Sequence, residues 1–217
     1  MPHDSPSLDK LLENPRLWRG RNPAQGMAGL ASGLASGYER LDHHLPGGGW
    51  PQHALTEILT EHYGIGEIRL LMPALAALSR PEHSAEFSEP GWIAWVAPPF
   101  QPYPPALQQW GIDLSRMLIV RPKTDKEVLW SAEQALSSGT CAAVLLWPDR
   151  LDDQAGRRLQ LAAAKGNSWA IAFRPLTARS EPSAAALRIE LQAQASGTCL
   201  SIIKNRGGRP AVLHDIF

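Results

Sequence analysis

The sequence predicts a three-layer α/β fold built on a mostly parallel central sheet, with a C-terminal antiparallel hairpin. Three observations predict it. Strand-like apolar runs alternate with helical patterns four or five times along the chain. The run 141–147, Cys-Ala-Ala-Val-Leu-Leu-Trp, is apolar throughout, which suits a central parallel strand covered on both faces. The last two strand patterns, 186–192 and 198–204, close on Ser196-Gly197 and read as a hairpin. Alternation of this kind places helices on both sides of a parallel sheet, joined by right-handed crossovers.

The elements follow in order. Residues 38–45 carry a short amphipathic helix pattern, stopped by Pro46 and the glycines 47–49. The run 54–59 is a strand, 60–66 a loop, and 67–79 a helix. In that helix Ile68, Leu71, Leu75 and Leu78 fall at helical spacing, and Pro73 should kink it. Residues 80–90 form a polar loop and 92–97 an apolar strand. A proline-rich turn follows, and Pro104-Pro105 opens a short helix ended by Gly111. The run 117–121 is a strand, and 125–138 a helix with Gly139 at its C-terminal cap. Asp152 caps the next helix, which runs to Lys165 and stops at Gly166, and 168–174 is a strand. Residues 1–37 read as an arm with a Gly/Ala/Ser-rich flexible linker, and 38–217 as a single domain.

Composition narrows the function classes. The chain has 217 residues, enough for one domain with a full core. Hydrophobic residues are 44% and charged residues 19%, which excludes a largely disordered chain. Lys+Arg and Asp+Glu are both 21, so a strongly basic nucleic-acid coat and an acidic mimic are disfavoured. The longest apolar run, 141–147, is too short to span a bilayer, and the polar first ten residues do not read as a signal peptide. Cys141 and Cys199 sit in apolar runs and read as buried thiols in a reducing cytoplasm. The seven histidines form no HExxH, so no metal is expected.

Ligands in such sheets bind beyond the carboxyl ends of the strands. The loop after the first strand has the length and position of a phosphate loop, and Gly64 and Gly66 keep a tight turn. The pattern GxxxxGK[ST] fails, because Glu67 stands where the lysine should be and Ile68 where the hydroxyl should be. A carboxylate about 4 Å from phosphate costs roughly 1 kcal/mol in water and about 4 at an effective dielectric of 20. Trp147 and Pro148 occupy the end of the strand where a magnesium-binding acid is wanted, and Pro98-Pro99 follow the strand that should supply a water-activating acid. No GxSxG elbow occurs. No catalytic residue, ATPase activity or cofactor is expected. Glu57, mid-strand among apolar neighbours, reads as an outward-facing or hydrogen-bonded structural carboxylate ahead of a functional acid.

Contact residues are easier to nominate. Lys204, Arg206 and Arg209 lie with two glycines at the end of a strand and can meet phosphate or an acidic surface, or form a solvated hairpin end. Trp18 and Arg19, in the arm, form a candidate docking peptide or a strap over the core. Arg157 and Arg158 read as a solvated helix face. Trp92, Trp95, Trp147 and Trp169 read as core, and Trp50 and Trp110 as candidate interface anchors.

The order of residues also resembles known families. The runs 37–42 (Gly-Tyr-Glu-Arg-Leu-Asp), 45–51 (Leu-Pro-Gly-Gly-Gly-Trp-Pro) and 55–58 (Leu-Thr-Glu-Ile) resemble the approach to the phosphate loop of RecA recombinases. The strand end 201–206 (Ser-Ile-Ile-Lys-Asn-Arg) resembles another RecA element, the strand ending in Lys-Asn-Lys. The segments 132–136, 138–139, 143–147, 166–167 and 173–175 resemble the SulA cell-division inhibitors. Both together, with Leu17-Trp18-Arg19-Gly20, Ala97-Pro98-Pro99 and Pro102-Tyr103-Pro104, resemble the ImuA family of bacterial translesion-synthesis accessory proteins, of RecA/SulA type. That resemblance implies a RecA-like core and a non-catalytic adaptor induced by DNA damage. It implies partnership with an ImuB-type relative of Y-family polymerases, an error-prone DnaE-type polymerase and RecA, with DNA contact, self-association and association with the nucleoid. The other reading is a SulA-like SOS inhibitor of cell division that binds the division GTPase FtsZ.

Overall fold

A computed structural model describes residues 33–80, 91–194 and 197–216. Trp18, Arg19 and nearly all of the expected arm and linker lie outside the described residues, as do residues 81–90 of the expected polar loop and the hairpin tip at Ser196.

Along the chain the elements are α1 (Glu39–Asp42), β1 (Leu55–Thr60), α2 (Met72–Ser79), β2 (Trp92–Val96), α3 (Pro104–Gln109) and β3 (Met117–Val120). They continue with α4 (Asp125–Ser137), β4 (Cys141–Leu146), α5 (Asp153–Lys165), β5 (Trp169–Pro175), β6 (Leu187–Gln194), β7 (Gly197–Asn205) and β8 (Ala211–Leu213). The strands form one sheet in the order β3-β2-β4-β5-β1-β6-β7-β8. All pairs from β3 to β6 are parallel, and β6-β7 and β7-β8 are antiparallel. The hairpin is therefore as expected, while the three-residue β8 and the parallel seat of β6 beside β1 are additions.

Side-chain alternation divides the core into two layers. Ile58, Ile93, Trp95, Leu145, Ile171, Phe173 and Ile189 face α1, α2 and α3. Leu55, Ala94, Val96, Val144, Leu146, Ala170 and Ala172 face α4 and α5. Every residue of β4 is buried, as its uniform apolarity requires.

Local signals explain the helix ends. Thr124 accepts from the Glu127 N–H, and Glu127 reaches back to the Thr124 N–H, so α4 starts on a capping box. Asp152 accepts from the Ala155 N–H at the start of α5. Pro73 does not kink a longer helix. A 3-10 turn, Arg69–Leu71, precedes α2, and Pro73 sits in the first turn of α2, where its missing N–H costs no hydrogen bond. Gly166 ends α5 at φ −95° rather than in the left-handed region, so close approach explains the glycine. A Cβ there would overlap the Leu136 carbonyl of α4.

The buried charges form one network. Glu57, 1% exposed, lies opposite Arg188 across the β1–β6 pair. Arg188 Nε donates to Glu57 Oε2 at 2.8 Å, Arg174 Nη1 to the same oxygen at 3.4 Å, and Ser183 Oγ to Oε1 at 2.7 Å. Arg188 also donates to the Ala178 and Arg179 carbonyls, and Arg174 to the Leu151 carbonyl and Glu181. Glu57 is thus the hydrogen-bonded structural acid. It pins the segment between β5 and β6 to the sheet.

Candidate functional site

Because β1 to β5 are parallel, their carboxyl ends emerge on one rim. Four loops meet there: 61–68 after β1, 97–103 after β2, 121–124 after β3 and 147–152 after β4. Ala97 begins the second loop at φ +55°, a left-handed value that costs a non-glycine residue roughly 1 kcal/mol. The proline-rich run beyond it carries Phe100 and Tyr103, each 69% exposed.

Beneath these loops lies an aromatic floor. Trp147 stacks on Phe173 with centroids 4.5 Å apart and planes 8° apart, and it meets Trp95 at 5.5 Å. The side chain that replaces the expected metal-binding acid is therefore part of the core. It separates two adjoining clefts. One, of about 210 Å³, lies between Trp95, Phe100, Pro102, Tyr103 and Leu107. The other, of about 280 Å³, lies between Tyr63, Pro122, Thr124, Asp125 and Asp149. Burial raises the Tyr63 phenol above its ordinary pKa, and the charges of Glu67 and Asp149 add to that, so the ring stays neutral.

The loop after β1 keeps the shape that its glycines predict, with Gly64 at φ +91° and Gly66 at φ +108°. Glu67 is buried and turns back into the loop. Its carboxylate accepts the Gly64 N–H at 2.8 and 3.0 Å and the Ile65 N–H at 3.0 Å. Successive backbone N–H groups of this kind form an anion-binding concavity, and here the chain's own carboxylate occupies it. Among the described residues no three His, Cys, Asp or Glu side chains group as metal ligands.

The cationic residues lie elsewhere. Lys204 and Arg206 are near the amino end of β6, opposite the rim. Lys204 Nζ donates to the Ser183 carbonyl at 2.7 Å, and burial lowers its pKa, helped by Arg206 and Arg188. Arg206 donates to the Ala184 carbonyl at 3.2 Å, and Arg209 is exposed. Lys204 therefore ties the chain together rather than standing free. Arg157 pairs with Asp153 and Arg158 with Glu133 on the exposed face expected of them. Trp50 is fully buried against Trp169, which removes it as an interface anchor, and Trp110 stays partly exposed. Trp92, expected in the core, is 38% exposed. Sequence reasoning passed over Phe100 and Tyr103, and two aromatics spaced among five prolines were the available signal.

The family described as Cell division inhibitor SulA matches residues 57–170, from β1 to the start of β5, and so includes all four rim loops. The SulA cell division inhibitor of Yersinia enterocolitica is 30% identical over 104 residues, covering 48% of this chain and 62% of that protein. That of Yersinia pestis is 29% identical over 108 residues, covering 50% and 60%. The chain thus spans less than two thirds of the length of these curated relatives. The crystal structure of SulA from Pseudomonas aeruginosa aligns with a TM-score of 0.44 and 26% identity, over 55% of this chain and 97% of that one.

The family and the curated relatives overturn the expected translesion adaptor, since both are cell division inhibitors. That expectation leaned on the arm, the runs 37–42 and 45–51 and the strand end 201–206, which lie outside the matched span, and on 97–99 and 102–104, which lie inside it. Of the segments that resemble SulA, 132–136, 138–139, 143–147 and 166–167 lie inside it and 173–175 lies outside.

Proposed function

This chain belongs to the SulA cell division inhibitor family, and from that premise we propose that it halts bacterial division as part of the SOS response, in the cytoplasm, by binding the division GTPase FtsZ. The observation that carries the proposal is the match over residues 57–170, which encloses the rim. The rim suits a protein partner. Phe100 and Tyr103 stand out from an apolar cleft with Trp95 and Leu107 behind them, and aromatic side chains of this kind anchor protein interfaces.

The protein acts by contact and does not turn over nucleotide. Glu67 fills the amide concavity of the loop 61–68 with an anion, so a phosphate meets both an occupied site and a negative charge. We read the sheet and the loop after β1 as a RecA-like core adapted to protein binding. No helix among the described residues is long and apolar enough to cross a membrane.

Overproduction in a rod-shaped bacterium tests the reading. The expected result is long undivided filaments, relieved when Phe100 and Tyr103 are replaced by serine. Normal division under strong overproduction of folded protein overturns it.

A further inference from the structure

The outer edge of β3 is the first edge of the sheet, with no strand beside it among the described residues. The Val120 carbonyl accepts from the Ala97 N–H at 2.9 Å, so the backbone of Val120 faces β2. By alternation the N–H and C=O of Met117 and Ile119 face outward. Leu118 and Ile119 are 44% and 38% exposed, one on each face of the strand. An apolar strand with unpaired backbone groups is a template for another strand.

Its ends are cationic. Arg116 precedes β3 and Arg121 follows it. The Arg116 guanidinium lies 5.9 Å from the centre of the Trp92 ring, and Arg121 Nη2 donates to Gln101 Oε1 at 2.5 Å. Trp92 and Gln101 hold the two cations, and Arg116 is near enough to Asp113 to help lower that carboxyl's pKa, after the Ser115 hydrogen bonds. The neighbouring acids are engaged by backbone amides. Asp113 accepts from the Ser115 N–H, Glu127 from the Lys123 and Thr124 N–H groups, and Asp125 from the Asp149 N–H.

This charge pattern selects the occupant. Two copies joined edge to edge about a two-fold axis must align outward-facing residues with outward-facing residues. A second copy of β3 would bring arginines and no carboxylate to both ends of that pairing, so it offers neither cation an acidic partner. We propose that the β3 edge is a docking site for an extended segment of another protein, apolar in the middle and carrying a carboxylate at each end. The two arginines are five residues apart, so the carboxylates should be about 17 Å apart, at about 3.3 Å per residue. The backbone of Met117 and Ile119 supplies the ladder and the arginines supply the selection. One end of the site, Arg121 on Gln101, adjoins the aromatic rim, and the other, Arg116, lies at the opposite end of β3.

Fluorescence anisotropy at low ionic strength with the full chain tests this. The probes are fluorescein-labelled Glu-Val-Thr-Val-Thr-Glu and its counterpart with lysine at both ends. The acidic peptide should bind at least tenfold tighter. Arg116→Glu with Arg121→Glu should reverse the preference. Ile119→Pro removes an outward N–H at an edge position where proline is tolerated, and it should abolish binding of either peptide with the melting curve unchanged. If Ile119→Pro does not fold, the charge reversal decides alone. Equal binding of the two peptides, no binding of the acidic one, or binding indifferent to charge reversal overturns the proposal. So does a concentration-dependent dimer, in sedimentation, that Ile119→Pro abolishes.

Discussion

Both carboxylate oxygens of Glu67 accept the N–H of Gly64, three residues earlier in the chain, at 2.8 and 3.0 Å. One side chain thereby closes the loop at the carboxyl end of β1 and supplies it with an anion. Glu67→Ala leaves the Gly64 and Ile65 amides without this partner. Losing the acceptor of partly buried donors costs about 1–3 kcal/mol. Urea unfolding should show a loss in that range. No measurable change would mean that water serves the loop equally well.

Glu57 is held between two buried arginines, and its removal has a larger effect. Glu57→Leu leaves Arg174 and Arg188 buried without their shared carboxylate. Breaking a buried pair by removing one partner typically costs 3–5 kcal/mol. The same urea experiment should find this variant less stable than Glu67→Ala.

Phe100 and Tyr103 should behave in the opposite way. Both are largely exposed, so Phe100→Ser with Tyr103→Ser should leave the unfolding midpoint nearly unchanged. Interface aromatics of this type often contribute 2 kcal/mol or more to binding, so affinity for FtsZ should fall by about thirtyfold or more in a direct titration. Unchanged affinity would move the contact off the rim.

Lys204 gives the stability a pH dependence of known sign. Burial lowers its pKa in the folded protein, first by desolvation and then through Arg206 and Arg188. Between that lowered value and the ordinary lysine value of about 10.4 the unfolded chain binds more protons than the folded one, so this residue makes stability rise with pH there. Below the lowered value both states are protonated and the slope vanishes. Lys204→Met should remove the rise, read as urea midpoints measured from neutral pH upward through that window.

Much of the fold was legible because its signals are local. The uniform apolarity of 141–147, the Asp152 cap and the glycine at the hairpin all translate directly into β4, α5 and the antiparallel β6–β7 pair. What escaped depends on contacts distant in sequence. Nothing near Gly166 announces that Leu136 packs against it. Nothing near Lys204 announces the Ser183 carbonyl to which its ammonium donates. Glu67 was recognised as unsuited to phosphate, but its side chain's turn onto Gly64 required the three-dimensional loop. The rim aromatics were hidden by their setting, since prolines mark a turn without telling which neighbours it exposes. The resemblance pointed to two functions, and residues 57–170 separated them.

The central claim is that this protein stops division by acting on FtsZ, and the most direct measurement is GTP-driven assembly of purified FtsZ followed by light scattering. With this protein added in increasing amounts, scattering should fall and be abolished as the two approach equal concentration, and it should recover with the Phe100→Ser, Tyr103→Ser variant. Full assembly in the presence of excess folded protein would contradict the account.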